Sequence, residues 1–137
     1  MWLVYALLSA LFAAVMSILA KVGMENVNSN LAVAIRTVVV LLMAWMIVFV
    51  AGKQDGISHL THRNWTFLIL SGIATGLSWL FYFKALQMGQ ASKVIPVDKM
   101  SVAFGILLAF LFLNETITIK TIMGGCLIVI GTIVLAL

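Results

Sequence analysis

Residues 31–51 read LAVAIRTVVVLLMAWMIVFVA, an apolar run that contains a single charge, Arg36. A helix rises about 1.5 Å per residue, so about 20 residues cross the roughly 30 Å hydrocarbon layer of a bilayer. The run does not alternate polar with apolar residues, and it is longer than the roughly 9–11 residues of a barrel strand. It therefore predicts a transmembrane helix.

Similar runs lie on both sides of this segment, at about 2–20, 65–83, 94–113 and 121–137. The connections between the runs are short, so consecutive helices are expected to run antiparallel. The first run lacks a basic leader and is too long for the core of a signal peptide. We predict an all-α integral membrane protein with five transmembrane helices, forming a single transmembrane domain over residues 1–137.

Composition excludes several classes of protein. The chain is 64% hydrophobic and 9% charged, with a net charge of +4, whereas soluble domains carry about 25% charged residues. An ordinary soluble globule and a disordered chain are therefore excluded. The basic residues are scattered singly, so no nucleic-acid partner is expected. The sequence contains no nucleophile–base pair, phosphate-binding glycine loop or metal-ligand cluster, which predicts no enzymatic activity, no cofactor and no metal.

Basic residues flank the spans in nearly equal numbers on the two sides. Lys and Arg near helix ends favour the cytoplasmic side of a membrane. The side that holds the N-terminus carries Lys53, Arg63 and Lys120, and the other side carries Lys21, Lys84 and Lys93. Two arrangements remain open: one fixed orientation, or insertion in both orientations with pairing into an antiparallel homodimer.

Three charges lie inside the spans, where they are costly and are functional candidates by default. Arg36 lies about 8 Å along its helix by helical rise. It is either an anchor that reaches back to the surface or a substrate contact. Asp98 and Lys99 follow Pro96, which removes a backbone donor and is expected to kink or break the helix near its start.

Asp98 and Lys99 are adjacent, so helical geometry predicts that they point about 100° apart. Each would then need water or a partner on another helix, and Arg36 is a candidate partner for Asp98. Two interpretations remain open for the pair, a buried structural ion network and a site for substrate or protons. Pro96 is included in the candidate translocation path, together with Ser101, which begins a stripe of small residues in the same span.

The third span carries hydroxyl groups on one helical face, at Ser71, Thr75, Ser78 and Tyr82. Trp79 lies beside this stripe and could stack on a ligand. Either helix packing or a polar groove along a translocation path explains the stripe. We take Ser78, Trp79 and Tyr82 as candidate substrate contacts.

Two features near the end of the chain are expected to be structural. Glu115 lies in the turn before the last span and is expected to cap that helix, where an acid also suits the helix dipole. Gly124, Gly125 and Gly131 form a close-packing surface on the last span and a plausible dimer seam.

Several motifs in the second half resemble the EamA-like branch of the drug/metabolite transporter superfamily. They are Tyr82-Phe83-Lys84-Ala85-Leu86, the run from Ala91 to Lys99, Phe112-Leu113-Asn114-Glu115, and the run from Gly124 to Gly131. Lys21 and Arg36 also look like family positions. The resemblance covers nearly the whole chain, with Leu113-Asn114-Glu115 where the family often has Leu-Gly-Glu.

The resemblance implies one five-helix repeat, whereas many family members have ten spans built as two inverted repeats. Transporters of that kind place their sites between the repeats and alternate access by rocking one repeat against the other. Two copies inserted oppositely would recreate the inverted pair, which is why we favour the dual-topology homodimer.

The resulting expectation is a multi-pass secondary transporter of the inner (cytoplasmic) membrane, moving a small metabolite or drug-like solute. Embedded charges other than Asp98 are positive, which favours an anionic or zwitterionic substrate. The alternative is a non-transporting membrane subunit, or a lipid-carrier flippase component, that acts with a different partner chain. An ion channel is disfavoured because no ring of filter residues is evident.

Overall fold

The structure, a computed structural model, describes residues 1–137 and is entirely helical. The α-helices are α1 (Trp2–Gly23), α2 (Ser29–Val50), α3 (His62–Met88), α4 (Ala91–Asp98), α5 (Ser101–Leu113) and α6 (Ile119–Ala136). A 3-10 helix at Gln54–His59 connects α2 to α3. With α4 and α5 taken together as Ala91–Leu113, the chain has 5 helices long and apolar enough to cross a membrane. The predicted number of spans is confirmed.

The helices extend past the apolar runs that predicted them. The clearest case is α3, which continues on both sides of 65–83 to begin at His62 and end at Met88. Polar residues such as Arg63 and Lys84 are good enough helix formers to continue a helix that the apolar run has begun. Hydropathy therefore locates the part of the helix in lipid and misses its polar ends.

The chain forms two compact units, one comprising Met1–Lys21 with Met88–Leu137 and the other comprising Val22–Gln87. In the first unit, α6 packs along both α4 and α5. A Cβ atom on Gly125 would lie 3.2 Å from Cδ1 of Ile106, whereas one on Gly124 or Gly131 would meet nothing within 4 Å. Gly125 therefore lets α5 approach α6 closely, and Gly124 and Gly131 leave an open face.

The unit Val22–Gln87 contains a small buried core. The fully or nearly fully buried apolar side chains there are Met24, Val33, Phe83 and Leu86. The amide Nε2 of Gln87 donates to the carbonyl oxygen of Val27 at 2.6 Å, which ties the α1–α2 connection to the end of α3. This end of the unit is consequently the best packed.

Most of the large apolar side chains outside that core are exposed. Of the residues in each span's most apolar window, no more than 6% are buried. Such surfaces would be costly in water, but lipid tails are as apolar as a leucine side chain. The exposure pattern is that of helices whose outer faces contact lipid.

The helix that contains Pro96 is interrupted, as predicted. Its first part ends at Asp98, and the second part begins at Ser101. The amides of Lys99 and Met100 donate to the carbonyls of Pro96 and Val97, at 2.9 Å and 3.0 Å. These bonds span three residues instead of four, so the backbone tightens into a 3-10-like turn just after Pro96.

The start of α6 corrects one expectation. Thr118 is the N-cap, and its side-chain oxygen accepts a hydrogen bond from the amide of Thr121 at 3.2 Å. Thr118, and not Glu115, therefore caps α6, because the chain remains outside any helix from Asn114 to Thr118. At the other end of α6, Nζ of Lys93 donates to the carbonyls of Ala136 and Leu137, at 3.4 Å and 3.2 Å.

Candidate functional site

Arg36 lies on α2 and faces an aromatic surface of α3. Trp79, Tyr82 and Phe83 are spaced three and four residues apart, so they lie on one face of that helix. The Arg36 guanidinium carbon is 4.3 Å from the centroid of the Trp79 ring and 5.1 Å from that of Phe83. The rings of Tyr82 and Phe83 meet edge to face at 5.9 Å. We call these four residues the Arg36 cluster.

The cluster explains how a charge is tolerated inside an apolar span. A guanidinium over the face of an aromatic ring is attracted by the ring quadrupole, by about 2 kcal/mol when both groups are desolvated. Phe83 is 1% exposed, so one of the two rings is fixed in the core. Arg36 is itself half-buried. The rings stabilise the positive charge without supplying a hydrogen-bond acceptor.

One donor of Arg36 has no partner within the chain. Nη1 is buried and makes no hydrogen bond. Buried donors are almost always satisfied in proteins, so a specific exception calls for an explanation. A guanidinium presents a planar fork of donors that matches a carboxylate or phosphate. An anionic group of that shape is the chemical partner that would suit the unpartnered donor.

The geometry also bears on whether Arg36 is a surface anchor. Trp79 precedes the end of α3 at Met88 by nine residues, which is about 13 Å along the helix. The guanidinium lies closer to Trp79 than to Phe83, the ring nearer that end. It is thus held over these two rings of α3, at the depth of Trp79 and Phe83.

The hydroxyl stripe of α3 includes one hydrogen bond within the helix itself. Thr75 donates its hydroxyl to the carbonyl of Ser71 at 2.9 Å, within the same helix. Ser71 and Ser78 are exposed, while Trp79 and Tyr82 are half-buried. A Cβ atom on Gly72 or Gly76 would meet nothing within 4 Å, so these two positions have open space beside them.

The structure corrects the expectation that Asp98 and Lys99 point apart. Lys99 Nζ lies 3.5 Å from Oδ2 of Asp98, and the side chains of Lys99 and Asp98 are 51% and 38% exposed. Lys99 keeps helical backbone angles at the end of α4, so the two charges meet because the long, flexible lysine side chain reaches its neighbour. Each thus has a partner within the same turn, beside Pro96 and before the exposed Ser101.

Two residues that matter to these sites were missed from the sequence. Phe83 supplies the second ring over Arg36, and it lies one helical turn after Trp79, a spacing that could have pointed to it. Thr132 on α6 donates its hydroxyl to the carbonyl of Pro96 at 3.1 Å. No local pattern pointed to Thr132, because its partner is distant in the sequence.

Comparison with known proteins identifies relatives. A sequence model of the EamA-like transporter family matches residues 1–137. A Sinorhizobium protein described as an uncharacterized transporter in the cobO 3' region is 44% identical over 135 residues, covering 98% of this chain and 96% of that protein. An uncharacterized protein of Methanocaldococcus jannaschii is 30% identical over 105 residues, covering 70% of this chain and 77% of that protein.

No solved structure matches the chain. The family match extends over all the described helices, and the Sinorhizobium relative is named as a transporter. Together with the five membrane-spanning helices, these similarities show that the chain is a multi-pass membrane protein that belongs to the EamA-like transporter family.

Proposed function

We propose that this transporter is secondary-active and moves a small anionic or zwitterionic solute across the cytoplasmic membrane. The observation that carries the proposal is the buried, unpartnered Nη1 of Arg36, held against Trp79 and Phe83. Its guanidinium binds the carboxylate or phosphate of the solute, while the rings of the cluster contact the solute's apolar part. Ser78 and Tyr82 lie on the same helix and extend the path.

The working unit in this proposal is an antiparallel homodimer that alternates access. Inverted repeats are the usual framework for that mechanism. The Sinorhizobium relative is matched over 96% of its length, so it is also about the size of one repeat. Further support comes from the exposed Asp98–Lys99 pair. It lies about 11 Å along its span by helical rise, where a polar group facing lipid is unfavourable, and a second copy would cover it.

Transport by purified protein tests the site. The chain is reconstituted in liposomes and offered labelled alanine, glutamate and succinate, with tetraphenylphosphonium as the cationic comparison. We expect accumulation of at least one of the first three solutes and a loss of about tenfold or more in Arg36→Ala, because one charge-assisted hydrogen bond contributes about 1.5–3 kcal/mol. Arg36→Lys keeps the charge but loses the planar fork, so partial uptake is expected.

Arg63→Ala is the matched control. Arg63 lies over a ring too, 5.8 Å from the centroid of Phe67, but near the exposed start of α3. Its removal is expected to leave uptake unchanged. Folding of every variant is checked by circular dichroism and gel filtration. Uptake by a folded Arg36→Ala protein at the wild-type rate would show that the anion site is wrong.

The dimer is tested at the open glycine face of α6. Gly131→Leu adds a side chain where nothing lies within 4 Å in the single chain, so folding should be preserved while association of two copies weakens. Gly72→Leu, equally open on α3, is the control. Association is measured by energy transfer between labelled copies in liposomes. A wild-type chain that stays monomeric, moves none of the solutes and binds a different polypeptide would support the accessory-subunit alternative.

A further inference from the structure

A cavity lies in the unit Val22–Gln87, beside the end of α2. Its volume is about 410 Å³. The lining residues are Leu41, Ala44, Trp45, Val48, Lys53, Gly56, Ile57 and Leu60. Lys53 is the one charged residue among them, and we call this cavity the Lys53 groove. We propose that it binds an anionic phospholipid, with an acyl chain along α2 and the phosphate at the Lys53 ammonium.

The apolar wall follows one stripe of α2. The stripe begins at Leu41 and continues three, four and seven residues later, at Ala44, Trp45 and Val48. Residues with this spacing lie on one face of a helix. The stripe is about 10 Å long by helical rise. Leu41 and Trp45 are 54% and 41% exposed, so the wall is open to the surroundings of the helix. In a bilayer those surroundings are acyl chains running roughly parallel to the helix.

The opposite wall comes from the 3-10 helix Gln54–His59 and the residue that ends it. Ile57 and Leu60 are three residues apart, and in a 3-10 helix such residues lie one above the other. Both line the groove, while Gly56 leaves space between the walls. The segment thus turns its two apolar side chains towards α2, as a helix lying in the membrane interface would.

The position of Lys53 is set by the backbone. The amide of Lys53 donates to Val48 and that of Gly52 donates to Phe49, both at 3.1 Å, and Gly52 has a φ of +61°. This is the Schellman arrangement, in which glycine takes the left-handed conformation that ends a helix. It fixes Lys53 at the point where α2 ends.

A lysine at the end of a span, beside an interfacial tryptophan, lies at the level of lipid headgroups. An exposed ammonium at that level attracts anionic headgroups. The apolar wall alone would take any lipid, so the selection for negative charge depends on Lys53. This ligand and this groove are separate from the Arg36 cluster and do not depend on the transported solute.

Fluorescence quenching by brominated lipids tests the proposal. A protein with Trp45 as its sole tryptophan (Trp2→Phe, Trp65→Phe and Trp79→Phe) is reconstituted in phosphatidylcholine vesicles. These contain either brominated phosphatidylglycerol or brominated phosphatidylcholine at the same fraction. We expect a relative binding constant about fivefold higher for phosphatidylglycerol, the effect of one lysine near an anionic headgroup.

The lysine variants are compared in that background, with folding checked by circular dichroism. Lys53→Ala should abolish the preference and Lys53→Arg should keep it. Lys120→Ala removes an exposed charge that does not line the groove, so the preference should remain. Equal quenching by the two brominated lipids, or loss of the preference in both alanine variants, would overturn the proposal. The proposal would also be overturned if neither brominated lipid quenched Trp45, because that result would mean that protein covers the groove.

Discussion

Two regions of this transporter carry charges inside membrane spans, and they accommodate them differently. In the Arg36 cluster the cation is half-buried between rings, and one of its donors has no acceptor. At the helix break the cation, Lys99, is exposed and pairs with the preceding residue. The first arrangement leaves a binding capacity unused within the chain, whereas the second has satisfied its charge locally.

This difference assigns the two regions different tasks in the proposed mechanism. A ligand anion gains most where a fixed guanidinium has a free donor, so the Arg36 cluster is the better solute contact. The Asp98–Lys99 pair adjoins a turn with fewer regular helical bonds, so it is better suited to covering by a second copy and to movement.

The largest expected effect on stability compares the packed support of the Arg36 cluster with the exposed surface of the same helix. Phe83→Ala removes a side chain that is 1% exposed and supports Arg36. We expect the free energy of unfolding to fall by about 3 kcal/mol or more, from lost packing and the cavity left behind. Phe81→Ala, on the same helix at 75% exposure, should change it by less than about 0.5 kcal/mol. Unfolding by SDS, followed by circular dichroism, measures both.

An equal fall in the free energy of unfolding in the two phenylalanine variants would contradict the view that a packed core supports the Arg36 cluster. A small loss in Phe83→Ala with normal transport would also separate Arg36 from its ring support, and would place the solute contact elsewhere.

A smaller effect is expected at the helix break. Thr132→Val removes the hydroxyl that donates to the Pro96 carbonyl, which also accepts from the Lys99 amide. Since the carbonyl keeps one partner, the cost should be only about 1 kcal/mol. Thr37→Val is the matched control, because the Thr37 hydroxyl donates to the Val33 carbonyl four residues earlier in its own helix. Removal of the Thr37 hydroxyl should lower the free energy of unfolding by less. The same SDS titration compares the two variants.

A Thr132→Val protein as stable as wild type would show that α6 does not brace the break. If Thr37→Val cost as much as Thr132→Val, the loss would reflect the substitution of threonine in general, and the bond to Pro96 would have no special role.

The parts of this fold that the sequence predicted are those set by bilayer thickness and by proline. Apolar runs of membrane length located five spans, and Pro96 marked the span in which the break lies. The rotation of α2 was not predictable, because apolar residues surround Arg36 on every side of its helix and the hydropathy pattern does not distinguish the face that meets α3. The partners of Arg36 and of Pro96 therefore became visible only in three dimensions.

The pairing of Asp98 with Lys99 shows a second reason for failure. Helical geometry predicts that the two side chains leave the backbone in different directions, but it does not account for the reach of a flexible lysine side chain. Thr118 replaced Glu115 as the cap of α6 because the sequence predicted a cap but not the length of the non-helical segment before it. Element ends, where local bonds compete closely, are the least predictable parts of this chain.

The smallest expected effect is the coupling between Asp98 and Lys99. Both side chains are more than a third exposed, so solvent screens their attraction, and a double-mutant cycle in detergent should give about 0.5 kcal/mol. The cycle compares Asp98→Asn, Lys99→Gln and the double variant in the SDS titration.

In liposomes, a second copy would cover the Asp98–Lys99 pair in the proposed dimer. Removal of one partner there leaves an unpaired charge in a poorly hydrated place. Energy transfer between labelled copies should therefore fall more in Asp98→Asn than in the double variant. Identical association in the single and double variants would mean that the pair stays in water, and that the break takes no part in the dimer.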